Sequence, residues 1–208
     1  MTQHPVLIAG GGIAGLAAAL AAASAGREAH VFERAATFEE VGAGLQLGPN
    51  AVKALTRIGA WKDVSAIATT PPAIVMRDAM SGRPVRRIRL SGVFEEMFGA
   101  PYRVAHRADL HSALLAATRR HSGIEVSGGR SVSGLEESGS AINITLQDGH
   151  SVNGDILVVA DGMRSGLRKK LWPGSASVFA GQIIHRALTA MPPALGDGDC
   201  VNLWMGRG

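Results

Sequence analysis

The stretch Val6-Leu7-Ile8-Ala9-Gly10-Gly11-Gly12-Ile13-Ala14-Gly15, with Glu33 closing the next apolar run, decides how this chain folds. A short apolar run, a glycine turn, an alanine-rich helix and a second strand ending in an acid read as one βαβ unit. Its parallel strands are expected at 5–9 and 28–33, around a helix at 13–26. Gly10 permits the tight turn, Gly12 leaves room for a pyrophosphate to approach the backbone, and Gly15 lets the helix pack close to the sheet. The first turn of that helix, which includes Ala14, offers free N–H groups and a partial positive charge to phosphates. Glu33 stands where a carboxylate can accept hydrogen bonds from a ribose diol.

A rival reading starts from the same residues. Val6 to Gly26 carries no charge and is long enough to span a bilayer, Gly11 and Gly15 form a GxxxG, and Ala23-Ser24-Ala25 resembles the end of a secretory signal. No Lys or Arg precedes the run, four glycines cluster at one point, and the second half is barely hydrophobic alanine. These features favour the nucleotide turn, so no membrane span is expected.

At 208 residues the chain holds one large domain, or one domain and part of another. Its apolar content of 46% suits a globular core, and an aromatic content of 4% argues against a base-stacking nucleic-acid binder. The net charge of +4 draws on Arg83, Arg86, Arg87 and Arg89 and on Arg164, Arg168, Lys169 and Lys170. These runs read as a solvated strand face and a helix surface, or as attraction for anionic ligands. The single Cys200 excludes an internal disulfide and a multi-cysteine metal site, and it fits a reducing, cytoplasmic setting. His106 and His111 do not share a helix face, and no metal is expected.

Further along, Val41-Gly42-Ala43-Gly44-Leu45-Gln46-Leu47-Gly48-Pro49-Asn50 reads as a loop, with Asn50 capping a helix at 51–58. Residues 73–79 and 84–90 flank a turn at Ser81-Gly82, and Tyr102–His106 reads as another strand. Asp109 is expected to cap a helix at 110–120 that presents Leu110, Leu114 and Ala117 on one face. Residues 130–137, 141–147 and 150–153 form a meander turning at Asp148-Gly149, followed by a fully buried strand at 156–160. From Trp172 the character changes, and 178–188 and 201–205 read as strands of a second sheet. The fold class is therefore α/β: a Rossmann-like parallel sheet with a small antiparallel meander at 1–72 and 106–171. The beginning of a mixed β-sheet substrate domain is expected at 73–105 and 172–208.

The order of signals is GxGxxG, Glu33-Arg34, GAGLQLGPN, His106-Arg107-Ala108-Asp109-Leu110, then Asp161-Gly162-Met163-Arg164-Ser165-Gly166-Leu167-Arg168. It resembles the single-component flavin-dependent aromatic hydroxylases of the 3-hydroxybenzoate 6-hydroxylase and salicylate hydroxylase type. Asp161, Gly162, Ser165 and Arg168 match that family's second fingerprint, which moves the expected cofactor from NAD to FAD, with NADH or NADPH as co-substrate. The resemblance implies that Gly10, Gly12, Ala14, Gly15 and Glu33 hold the ADP part of FAD and that Arg34 lies against the adenosine. It also implies that Gln46 faces the ribityl chain and flavin, and that Arg107 reaches the phosphate and ribitol region. Val132 would offer backbone to the adenine, although a core valine is the more economical account. Asp161 would order the segment between FAD and the nicotinamide nucleotide.

Some relatives carry a histidine base where this chain has Gln46, which takes no proton at neutral pH, so no catalytic residue is assigned. His185 stands where a tyrosine is common and reads as structural. The implied partners are a hydroxybenzoate-like aromatic substrate and O2, with a homo-oligomer favoured by exposed strand edges. The resemblance covers the whole chain but about the first half of such an enzyme, so a truncated and inactive form is expected. A non-catalytic nucleotide-binding fragment and another FAD oxidoreductase of the same superfamily remain open beside it.

Overall fold

The computed structural model describes residues 4–38, 43–139, 141–175, 177–188 and 198–206. The opening segment divides as its residues dictate. Apolar β1 (Val6–Ala9) ends at the glycines, and α1 (Ile13–Ser24) and β2 (Ala29–Phe32) complete the βαβ unit. There follow β3 (Gly44–Leu47), α2 (Pro49–Arg57), α3 (Trp61–Ile67), β4 (Ala73–Asp78), β5 (Pro84–Arg89), α4 (Val93–Phe98), β6 (Arg103–His106) and α5 (Arg107–Arg120). The chain continues through β7 (Ile124–Ser127), β8 (Val132–Ser138), β9 (Ala141–Leu146), β10 (Ser151–Gly154), β11 (Ile156–Val159), α6 (Gly166–Leu171) and β12 (Val201–Met205). Among the described residues no helix is long and apolar enough to cross a membrane.

A four-stranded parallel sheet in the order β11-β1-β2-β7 carries the site. Side chains alternate across its faces. Val6 and Ile8 of β1 and Ala29 and Val31 of β2 pack with Leu16, Ala19 and Leu20 of α1 and Leu110, Leu114 and Ala117 of α5. Leu7 and Phe32 point the other way, onto Ile144 and Leu146 of the meander β8-β9-β10. Because both faces are covered, β1 is apolar at every position. Full burial of Leu7 and Ile8 removes about 1.5–3 kcal/mol worth of apolar surface from water for each side chain. The meander turns at Asp148-Gly149, where Gly149 takes a φ of +86°.

Several expectations are corrected. Within the glycine-rich 41–50 stretch, Val41 and Gly42 lie outside the described residues, but 44–47 is a strand and not a loop. It pairs antiparallel with β6, with Gln46 opposite Val104, so a distant partner supplies the ordering that its glycines lack. Helix α2 is capped by Gly48 and not Asn50; Pro49 occupies its first turn, where a missing N–H and a fixed φ suit it. Helix α5 begins at Arg107 with His106 as its cap, and Asp109 lies inside the first turn, where its charge faces the positive end of the helix dipole. Strand β11 is not fully buried: β1 is its one described neighbour in the sheet, and Ile156 is 46% exposed. Residues 178–188 make no strand; Val178, Phe179, Ile183, Ile184 and Leu188 are exposed and without sheet pairing.

A three-stranded sheet in the order β12-β4-β5 stands apart from the parallel one, so 73–89 and 201–205 do share a sheet. Strand β12 runs parallel to β4, with Val201 opposite Ile74. Strand β6, from the same 73–105 segment, joins β3 instead.

Candidate functional site

The C-terminal ends of β1 and β11 lie side by side, and the glycine turn leaves the sheet between them. Gly10 takes a φ of +108°, and a Cβ there would come within 2.3 Å of the Ala160 carbonyl oxygen. Its N–H donates to the Phe32 carbonyl at 2.8 Å. Gly15 approaches even more closely, since a Cβ on it would sit 1.8 Å from the Gly10 oxygen and 3.3 Å from Ile8 Cγ2. Helix and turn are thus in backbone contact, which a glycine at 15 permits, while Gly10 permits the contact with Ala160. Gly12 is the extended N-cap of α1, and no side chain caps that terminus. The first-turn N–H groups, beside the exposed Ala14, therefore stay available to an anion.

Glu33 closes the turn from β2. Its Oε2 accepts from the Gly11 N–H at 2.7 Å and its Oε1 from the Ala35 N–H at 2.8 Å. Each carboxylate oxygen keeps a further lone pair. Arg34, beside it, is exposed. The loop after β7 is tied to the same place: Arg130 N–H donates to the Glu33 carbonyl at 2.8 Å and Gly129 N–H to the Ala35 carbonyl at 2.9 Å. This loop lines a cavity of about 450 Å³ with Ser131, Leu146, Gln147 and Asp148. Val132, next in sequence, is half-buried and packs against Leu7, Phe32, Ile144 and Leu146.

Asp161 follows β11 after one residue, Ala160. Its Oδ2 accepts from Gly166 N–H at 3.1 Å, whereas its Oδ1 is buried without a partner among the described residues. Ser165 is buried and caps α6, its hydroxyl accepting from Arg168 N–H at 2.9 Å. The Arg168 guanidinium reaches back to the Met163 carbonyl at 2.9 Å. Asp161, Ser165 and Arg168 are thus bonded into one compact turn. Ser165→Ala is expected to lower stability by about 1 kcal/mol, a fall in Tm of roughly 2–4 °C in a thermal melt, because the cap is lost.

Gln46 and Arg107 come from the β3–β6 pair. Gln46 is exposed, and Tyr102 donates its phenol O–H to Gln46 Oε1. Burial raises the phenol's pKa above its usual value, so Tyr102 keeps that proton. Arg107 opens α5 straight after β6, and its N–H donates to the Ala43 carbonyl at 3.2 Å. One helical turn later on the same face stands His111, whose Nε2 lies 2.8 Å from the Gly11 oxygen. The structure therefore gathers Gly10, Gly12, Ala14, Gly15, Glu33 and Asp161 at the carboxyl ends of β1, β2 and β11. Helix α5 starts at Arg107 and meets the turn at His111. Gln46 is held on the neighbouring β3. Sequence reading missed His111 and Phe38, whose ring stacks on that imidazole at 6.3 Å; the one signal for His111 was its four-residue spacing from Arg107.

Residues 3–207 match the family described as FAD binding domain. The chain belongs to the FAD-binding domain family. Over 205 residues it is 35% identical to 3-hydroxybenzoate 6-hydroxylase of Polaromonas naphthalenivorans, covering 97% of this chain and 51% of that protein. It is also 35% identical to 3-amino-4-hydroxybenzoate 2-monooxygenase of Streptomyces cremeus, over 98% of this chain and 51% of that protein. The solved structure of a variant of 2-methyl-3-hydroxypyridine-5-carboxylic acid oxygenase superposes with a TM-score of 0.71 at 29% identity, covering 82% of this chain and 43% of that one. The chain spans about half the length of the curated relatives it matches.

The resemblance to flavin-dependent aromatic hydroxylases drawn from the motifs is borne out by these relatives. The cofactor of this FAD-binding domain is FAD. The residues present fit it: a glycine turn packed backbone to backbone at Gly10 and Gly15, an uncapped helix terminus beside it, and a buried Asp161 oxygen that lacks a partner among the described residues.

Proposed function

We propose that this FAD-binding domain serves a monooxygenase that hydroxylates a ring bearing both a hydroxyl and a carboxylate, using NADH or NADPH and O2. The observation that carries the reading is the likeness, over 97–98% of this chain and 51% of each relative, to the two hydroxybenzoate enzymes. The substrates in their names, and in that of the pyridine-carboxylate oxygenase, all carry that pair of groups.

In this reading the N–H groups at Gly12, Ala14 and Gly15 hold the FAD diphosphate, and Gly10 makes the close turn that lets it approach. The spare Glu33 lone pairs accept from the ribose, and Arg34 lies over the adenosine. The 450 Å³ cavity lined by Gly129, Arg130 and Ser131 is large enough to take an adenine, with the backbone of Val132 next in sequence. Arg107 supplies positive charge to the phosphate and ribityl region. Tyr102 engages Gln46 Oε1, so the Gln46 amide N–H₂ is left as the donor toward the flavin side. Asp161 orders the segment between flavin and nicotinamide. FAD, when bound there, would supply the redox chemistry between nicotinamide and O2. Residues 1–72 with 106–171 are assigned to the nucleotide-binding unit and 73–105 with 172–208 to the substrate side, apart from β6, which pairs with β3. A reducing, cytoplasmic setting and self-association complete the proposal.

The test loads the chain with FAD, adds NADH or NADPH with 3-hydroxybenzoate, and follows ring product and hydrogen peroxide together. Flavin reduction is expected, with peroxide dominating over product. Leu203, Trp204 and Met205 on β12 are 39–54% exposed, so water reaches the face a ring pocket must keep dry. Failure of both nicotinamides to reduce bound FAD would overturn the monooxygenase reading in favour of a purely nucleotide-binding role.

A further inference from the structure

We infer that His111 is a positioning residue of the dinucleotide turn, acting through the Gly11 carbonyl. The inference rests on the proposed role of that turn in holding the FAD diphosphate. His111 lies in the middle of α5 among Leu110, Leu114 and Leu115 and is only 3% exposed. A buried imidazole among leucines is costly unless it is hydrogen-bonded. Its Nε2 stands 2.8 Å from the Gly11 oxygen, a hundred residues away in sequence. A carbonyl only accepts, so this Nε2 carries the proton and donates it.

The consequence follows from the planarity of the peptide. In a trans peptide the C=O of Gly11 and the N–H of Gly12 point in opposite directions. With the carbonyl drawn toward α5, the Gly12 N–H is turned away from it, on the side opposite to the histidine. The preceding peptide is fixed as well, because the Gly11 N–H is held by Glu33 Oε2 at 2.7 Å. Two successive peptides in a run of three glycines are thus pinned, one by an acid from β2 and one by a histidine from α5. Glycine has the most backbone freedom to lose, and a turn of three would otherwise pay that entropy when it closes on a ligand. Pinning it beforehand removes that penalty from binding. Phe38 completes the support: its ring stacks on His111, and a Cβ at Gly11 would meet Phe38 Cε1 at 2.7 Å. Arg119 stands 5.8 Å from the centroid of the same ring. Helix α5 therefore connects the strand that ends at His106 to the turn that receives the diphosphate.

The experiment measures FAD affinity of the 208-residue chain by flavin fluorescence for wild type, His111→Leu, His111→Gln and Glu33→Ala, with a thermal melt of each. Leucine keeps the volume and removes the donor. Glutamine carries an amide N–H at about the reach of Nε2. The expected result is FAD binding about tenfold weaker in His111→Leu, with most of that loss recovered in His111→Gln. If the two variants bind FAD equally, whether both as wild type or both weakened to the same extent, the hydrogen bond has no positioning role and the inference is overturned. Should His111→Leu melt below the assay temperature, His111→Asn takes its place: its amide falls one methylene short of Gly11, and it must bind more weakly than His111→Gln. Glu33→Ala separates the two layers of the argument. If it weakens FAD binding while His111→Leu does not, the inference alone fails; if neither changes it, the assignment of the turn to FAD fails.

Discussion

Gly15→Val is expected to abolish FAD binding and to lower the melting temperature of the chain far more than any surface substitution. A Cβ at position 15 would lie 1.8 Å from the Gly10 oxygen, and the obstacle is backbone, which cannot rotate aside. Either α1 lifts off the sheet or the turn moves, and both displace the N–H groups proposed to hold the diphosphate. Gly15→Ala gives the lower bound. Overpacking costs about 1–3 kcal/mol or more, and the better helix propensity of alanine returns about 1 kcal/mol. A separation of only 1.8 Å from backbone puts the cost at the upper end of that range, so the net loss of about 2 kcal/mol corresponds to a fall of roughly 4–8 °C in a chain of this size. Valine adds two further methyl groups in the same space. Gly26→Ala is the control: its φ of +73° makes alanine strained by about 1–2 kcal/mol, but nothing lies within 4 Å of its Cβ. That variant should melt lower and still bind FAD as wild type. A Gly15→Ala chain with unchanged melting temperature and FAD affinity would show that helix and turn are not packed as described.

The two predictions on glycines differ because the reasons for the glycines differ, and this also marks what a sequence reveals. Each constraint on the β1–α1 unit acts within ten residues: an apolar run, three glycines, then alanines. The turn of the meander is equally local, since Asp148-Gly149 needs a positive φ. Strand β3 was unreadable because Gly44 and Gly48 bracket it, and only its register with β6, some sixty residues away, makes it a strand. Helix α3 escaped notice because its cap is Ala60, with no side-chain signal. Strand β7 is four residues long, and its evidence is its pairing with β2. The apolar pattern at 178–188 promised a strand, but a pattern supplies only a face; the pairing partner has to come from elsewhere. The site divides in the same way. The glycines and Glu33 stand out by spacing, and the Asp161 segment by its resemblance to a family fingerprint. The buried imidazole of His111 did not, since a lone histidine in a leucine-rich helix carries no sign of which carbonyl it will meet.

Glu33 carries the second large effect, and the structure changes its meaning. From spacing alone the carboxylate was assigned to a ribose. Here it also holds the protein, with Gly11 N–H at 2.7 Å on one oxygen and Ala35 N–H at 2.8 Å on the other. Glu33→Ala is therefore expected to act on both counts. Hydrogen bonds to a charged group contribute about 1.5–3 kcal/mol, so FAD binding should weaken by roughly 10- to 150-fold. The melting temperature should fall even before FAD is added, because the buried Gly11 N–H loses its acceptor. The discriminating variant is Glu33→Gln. A carboxylate accepts on both sides, whereas an amide accepts on one and donates on the other. Whichever way the amide turns, its N–H₂ faces either the Gly11 or the Ala35 N–H, donor against donor. Glutamine should then recover little of the affinity lost in alanine, despite its matching shape. Were Glu33 a ribose ligand with no hold on the turn, glutamine could orient its carbonyl to the diol and restore most of the binding. A titration of the three proteins with FAD, each followed by a melt, separates these cases. Wild-type affinity in Glu33→Ala would remove the acid from the cofactor site altogether.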